Sequence, residues 1–130
     1  MPETTRTVEA GGLRFVVEYR TFGGDRGPAI RVFGTVGDQE VQALRFDLFE
    51  KAPHYHYDPS GFDGYHRLDR AVVPDLVEWT LAQLRDNLKA MIATAGYPEL
   101  AKAVDSRAVM EAIPQIREAI EAVSAAAVTG

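Results

Sequence analysis

The sequence has no cysteine, and only three of its fourteen basic residues are lysines. Without cysteine the protein has no disulfide bonds, thiolate metal ligands or thiol nucleophiles. Positive charge is also in the minority, since nineteen acidic residues against fourteen basic ones give a formal charge of −5. A surface that binds nucleic acid is normally basic, so nucleic acid is not the expected partner.

Long hydrophobic runs are missing as well. No apolar segment approaches the ~20 residues that a transmembrane helix needs, and no segment has the charged, apolar and small-residue order of a signal peptide. The sequence therefore predicts a protein without a membrane span, located in the cytoplasm of a bacterial cell. No motif identifies a small-molecule ligand or a substrate.

The composition is that of a globular protein. Hydrophobic residues make up 46% of the 130 residues, which is too high for a disordered chain and sufficient for one core. We expect a single domain over residues 1–130. Residues 1–10 are polar, and we expect them to be frayed.

The first half of the chain alternates apolar and polar residues with the period of two that half-buried strands show. Three strands are predicted, at 13–20, 29–36 and 41–49, and Gly37-Asp38 has the composition of a hairpin turn. A short fourth strand is possible at 54–58. Short connections favour an antiparallel meander of three to four strands.

After residue 70 the hydrophobic period becomes helical. We expect two longer helices, at about 74–95 and 106–127, with a short helix between them, and Pro114 should kink or split the second. Strands followed by helices indicate an α+β fold. The apolar helix faces can cover the sheet or bind a second copy of the chain, so a homodimer through these faces is predicted.

All three histidines lie in one stretch, at positions 54, 56 and 66. On an extended segment, residues two apart point to the same side, so His54 and His56 can supply two ligands to one metal ion. His66 or Asp58 can supply a third, as can Asp63 or Asp69. The metal candidates are therefore His54, His56, His66 and Asp58, with zinc or another divalent ion as the cofactor.

Other interpretations of this region stay open. The histidines can be solvated while the neighbouring tyrosines pack on the helices, or one of them can act as a general acid or base, with His54, His56 and His66 as the catalytic candidates. Arg45 and Asp47 share one face of the third strand. They can extend a site near His54 or simply form an ion pair.

A second charged group follows the histidines. Arg67 and Arg70 can bind an anionic group, but Asp63 and Asp69 lie beside them in sequence, and mutual charge pairing is the simpler interpretation.

The segments Arg45-Phe-Asp and Ala52-Pro-His resemble the strand-plus-histidine region of small bacterial toxin–antitoxin proteins of the TumE type. That resemblance covers a short part of the chain, and the acidic charge argues against an RNA-acting function.

Two functions remain at the level of sequence. The first is a non-catalytic binding or interaction module that self-associates, which accounts for the amphipathic helices and the lack of a catalytic motif. The alternative is a small metal- or histidine-dependent enzyme that uses His54, His56 and His66. The arrangement of these three side chains distinguishes the two, because a metal site requires them to converge.

Overall fold

The computed structural model of the protein describes residues 5–129, which form one antiparallel sheet followed by a layer of helices. Each strand pairs with the next, so the sheet is a meander in the order β1 to β6. The strands are β1 Thr5–Ala10, β2 Leu13–Phe22, β3 Asp25–Val36, β4 Gln39–Asp47, β5 His54–Tyr57 and β6 Gly64–Arg67. The helices are α1 Leu76–Asp86, α2 Leu88–Thr94, α3 Pro98–Ala103 and α4 Ser106–Thr129.

The α+β class and the antiparallel sheet are confirmed, but the expected number of three to four strands is wrong. The described part of the chain has six strands, and the two edge strands are missing from the prediction because neither has an alternating hydrophobic pattern. In β1, Val8 is the one buried residue, and β6 has no buried residue at all. β1 also overlaps the segment that was expected to be frayed, of which residues 1–4 lie outside the described part of the chain.

The helix predicted at 74–95 is two helices that meet at Asn87. α1 begins after Asp75, whose carboxylate accepts a hydrogen bond from the backbone N–H of Glu78 at 3.0 Å and so caps the first turn. α4 runs through Pro114, so the helix is not split there, and the kink that was the other expectation stays a prediction. Proline removes one helical hydrogen bond, to the carbonyl of Met110, and Met110 lies at the solvent-exposed side of the helix.

The core lies between the helices and one face of the sheet. Alternate strand residues such as Phe15, Ile30 and Phe46 are fully buried there against the helices. The apolar stripe of α4 is buried in the same core, through Val109, Ala112, Ile113, Ile116, Ala119, Ile120 and Val123. Within residues 5–129, no helix packs on the opposite face of the sheet, which we call the open face.

None of the helices in the described part of the chain is both long and apolar enough to cross a bilayer.

Candidate functional site

Two rows of side chains cross the open face, because residues that pair across neighbouring strands point to the same side. The first row runs from β2 to β6 through Glu18, Ala29, Asp47, His54 and Arg67. The second row lies two residues along each strand from the first and runs through Val16, Arg31, Arg45, His56 and Tyr65. The β4–β5 pairing therefore sets Asp47 opposite His54 and Arg45 opposite His56.

Asp47 is the centre of this arrangement and is fully buried although no helix covers it. Its Oδ1 accepts a hydrogen bond from Arg20 Nη1 at 2.6 Å, and its Oδ2 accepts one from Arg45 Nε at 2.8 Å. Burial alone raises the pKa of Asp47, but the hydrogen bonds from His54, Arg45 and Arg20 outweigh it and hold the pKa well below its usual range. Asp47 is therefore a carboxylate in the folded protein.

His54 is oriented by the chain just before it. Its Nδ1 lies 2.9 Å from the carbonyl oxygen of Ala52, which can only accept a hydrogen bond, so Nδ1 carries a proton. Its Nε2 then points at Asp47 Oδ2, 3.1 Å away. A neutral His54 would thus direct a lone pair at a carboxylate oxygen.

His56 is held in the same tautomer by different partners. Its Nδ1 lies 2.6 Å from Asp63 Oδ1, and its Nε2 lies 3.1 Å from Nη2 of Arg45, which can only donate. Nε2 is therefore unprotonated, and it lies 3.6 Å from Asp47 Oδ2. Burial is the main cause that lowers the pKa of His56, and the charges of Arg45 and His54 add to it, against the opposing effect of Asp63.

Aromatic rings surround the two imidazoles. The ring centroids of His54 and His56 are 4.9 Å apart, and Tyr65 lies 4.7 Å from the first and 5.3 Å from the second. Phe49 packs edge-on against His54 at 5.6 Å. This packing leaves His54 only 9% exposed and His56 7%, so both rings are fixed in position.

The structure brings together two of the predicted site residues and separates the others. His66 lies on the helix-side face of β6, where it is exposed and stacks on Tyr55 with a centroid distance of 5.1 Å. Asp58 lies in the turn after β5, where its Oδ1 accepts a hydrogen bond from the hydroxyl of Tyr97 at 2.6 Å. Neither residue reaches the pair formed by His54 and His56.

Asp47 takes the place that the sequence left open for a third ligand. One ligand atom each from Asp47, His54 and His56 can be chosen so that all lie within 4.8 Å of one another. A tetrahedral ion with ligand distances of about 2.0–2.2 Å needs ligand atoms roughly 3.3–3.6 Å apart. The separations of 3.1 and 3.6 Å from Asp47 Oδ2 to the two Nε2 atoms are close to this range.

The atoms around this group also suit a metal. Histidines that bind a metal usually donate their other ring N–H to a carbonyl or a carboxylate, as His54 does to Ala52 and His56 to Asp63. One feature opposes metal binding: the guanidinium of Arg45 contacts both Asp47 Oδ2 and His56 Nε2. An ion can bind these two atoms only if Arg45 moves away from them.

No curated protein and no solved structure matches this sequence. One family model, described as a domain of unknown function and called DUF7700, matches residues 7–120. The match covers the whole sheet from Thr7 onward and most of the helical layer. The chain belongs to the DUF7700 family.

Proposed function

We propose that this protein is a metal-binding module in which Asp47, His54 and His56 hold one divalent transition-metal ion. The observation that carries the proposal is the direction of the ring nitrogens. Both Nδ1 atoms are occupied by acceptors, so both Nε2 atoms face a single oxygen of Asp47. Two imidazoles and one carboxylate are ligands that zinc and its neighbours in the first transition series accept.

The contact between His54 and Asp47 supports this proposal on physical grounds. Nε2 of His54 lies 3.1 Å from a carboxylate oxygen of Asp47, so a proton or a metal ion on this nitrogen would bridge the two atoms. Because the rings are already fixed by packing and by their Nδ1 contacts, a metal finds its ligands organised in advance.

The limited access to the site favours binding over catalysis. Asp47 is 0% exposed, and His54 and His56 are below 10%, so a substrate has little room to approach the ligand atoms. The alternative is an enzyme in which the metal activates a water molecule. It is favoured by the number of protein ligands, since three of them leave one coordination position open.

Zinc titration tests the proposal directly. Protein without a polyhistidine tag is treated with a chelator, dialysed and titrated with zinc, and the bound metal is measured by calorimetry and elemental analysis. We expect one equivalent in the wild type. Replacing either ligand, by His54→Gln or His56→Gln, should weaken binding by at least about tenfold, because the loss of one ligand costs more than 1.4 kcal/mol.

His66→Gln is the matched control, because it removes a histidine twelve positions from His54 that lies on the other face of the sheet. It should leave the stoichiometry and affinity unchanged. A wild-type stoichiometry near zero, or equal weakening by His66→Gln and His54→Gln, would disprove the site. Circular dichroism of each variant distinguishes loss of ligand from loss of fold.

Self-association is the other part of the function that the sequence predicts, and it stays a prediction. The stripe on α4 that suggested it is used within the subunit, where residues such as Ile116 and Val123 are fully buried. A dimer through the helices would have to use what is left exposed, such as Met110 at 48%.

A further inference from the structure

A second group of charged residues lies at the β6 edge of the sheet, next to the metal-binding group but separate from it. A concavity there is lined by Lys51, Arg67, Leu68, Asp69 and Arg70. Three of these five side chains are cationic, in a protein whose formal charge is −5. The group is thus a local reversal of the overall charge.

These cations differ from most others in the protein because they have no carboxylate partner. Within residues 5–129, no carboxylate oxygen lies within 4.0 Å of the charged nitrogens of Lys51, Arg67 or Arg70. Such a partner is found for Arg14, Arg20, Arg26, Arg31, Arg45, Arg85, Lys102, Arg107 and Arg117. Unpaired cations that gather in one concavity favour an anion from outside the chain.

The three side chains keep hydrogen-bond donors for such an anion. Arg70 donates Nη1 to the carbonyl of Glu50 at 3.0 Å, and Lys51 donates Nζ to the carbonyl of Gly24 at 3.1 Å. A guanidinium has five N–H donors and an ammonium has three, so both retain several. No hydrogen bond or ion pair occupies the side chain of Arg67 in the described part of the chain.

The nearby acids are engaged elsewhere, which removes the pairing that the sequence suggested. Asp63 bonds His56, and Asp69 Oδ1 accepts a hydrogen bond from the backbone N–H of Ala71 at 2.9 Å. Asp25, on which the charge of Lys51 acts, accepts hydrogen bonds from three backbone N–H groups. Asp69 still lines the concavity, so the net charge of its lining is about +2.

We propose that this concavity binds the phosphate group of a small molecule. A phosphate dianion matches the net charge of the lining, and its oxygens accept charge-assisted hydrogen bonds from guanidinium and ammonium groups. The register sets Arg67 opposite His54, so the phosphate would lie beside the metal-binding group. None of the three cations is a metal ligand, and the proposal therefore stands whether or not the protein binds zinc.

Phosphate titration in the presence of a chelator tests this proposal apart from the metal. Inorganic phosphate is added at low ionic strength to wild-type protein, and binding is followed by phosphorus NMR and calorimetry. We expect saturable binding. Arg67→Met and Arg70→Met should each weaken it by about tenfold, because each removes charge-assisted hydrogen bonds.

Lys89→Met is the matched control, since it removes one positive charge at an exposed position on α2, away from the concavity. It should change phosphate affinity by less than about twofold, because the interaction of two charges through water is weak over such a distance. Equal weakening by Lys89→Met, no saturation at millimolar phosphate, or equal binding of acetate would overturn the proposal. Phosphate binding that survives His54→Gln supports it, and loss of phosphate binding in that variant would overturn it.

Discussion

Arg45 is the residue on which the chemistry of the open face depends most. Its guanidinium contacts both Asp47 Oδ2 and His56 Nε2, so it occupies two of the atoms that would bind a metal. In the described structure it neutralises the buried carboxylate together with Arg20. The same charge that stabilises Asp47 without metal therefore opposes an incoming cation.

We expect Arg45→Gln to bind zinc more tightly than the wild type, by about tenfold. The change removes a positive charge and a competing donor from two ligand atoms, while Arg20 still holds the other oxygen of Asp47. Competition with a zinc-binding dye measures the affinity of each variant.

Arg31→Gln is the control for this prediction. Arg31 lies opposite Arg45 in the same row, but it donates to Glu18 and Gln42 rather than to Asp47. It removes the same charge and should alter zinc affinity much less. Weaker zinc binding in Arg45→Gln than in Arg31→Gln would contradict the role of Arg45 as a competitor.

The sequence predicts one part of the site at this scale and misses the other. Period-two alternation is a local property, and it correctly sets His54 and His56 on one side of β5. Asp47 joins them through the register between β4 and β5, which depends on how the segment from Leu48 to Pro53 turns. No local pattern encodes that register, so the sequence gives Asp47 only as a residue near the site.

At the scale of elements, β3 and β4 must approach closely for Asp47 to reach its position. Gly27 on β3 has no room for a Cβ, which would overlap the backbone carbonyl of Leu48 and lie 2.9 Å from the Cα of Phe49. Leu48 is itself tied to β3, because its N–H donates to the carbonyl of Pro28 at 2.9 Å. The glycine therefore fixes the position of Leu48, the residue that follows the end of β4 at Asp47.

Gly27→Ala should lower the free energy of unfolding by about 2 kcal/mol, within the range found for overpacked sites. It should also weaken zinc binding, because the added methyl pushes Leu48 and with it Asp47 away from the histidines. Urea denaturation and zinc titration measure the two effects.

Gly37→Asn is the comparison, because Gly37 has a φ of +64° that asparagine tolerates and nothing within 4 Å of an added Cβ. It should leave both quantities nearly unchanged. If Gly27→Ala binds zinc as the wild type does, the close approach of β3 and β4 does not position Asp47.

The elements that the sequence predicts well are those that carry a buried face. β2, β3 and β4 each carry several buried apolar residues, and the hydrophobic period of α4 extends over most of its length. β6 is a strand because it pairs with β5, with no buried residue of its own. Edge strands of this kind are held by backbone hydrogen bonds, which every residue except proline can donate and which leave no hydrophobic pattern in the sequence.

At the scale of the whole molecule, the layered arrangement decides which surfaces remain for a partner. The helices cover one face of the sheet, and most of their apolar residues are buried in that contact. The open face is covered by paired charges instead, with Arg20, Arg31 and Arg45 bonded to acidic partners. A face built from satisfied ion pairs gives little hydrophobic free energy to a second copy of the chain.

Light scattering therefore decides between two expectations for the assembly. The amphipathic helices in the sequence predict a homodimer, whereas burial of their apolar faces within one subunit favours a 14.3 kDa monomer. We expect the monomer at micromolar concentration, because the exposed apolar residues Phe22, Val72 and Met110 lie in β2, in the segment before α1 and in α4, and not on one continuous helix face. Met110→Glu separates the cases further: it should leave a monomer unaffected and dissociate a dimer formed through α4. A mass near twice the monomer in the wild type, reduced to one subunit in Met110→Glu, would establish the helix-mediated dimer and refute the expectation that the apolar stripe serves the core alone.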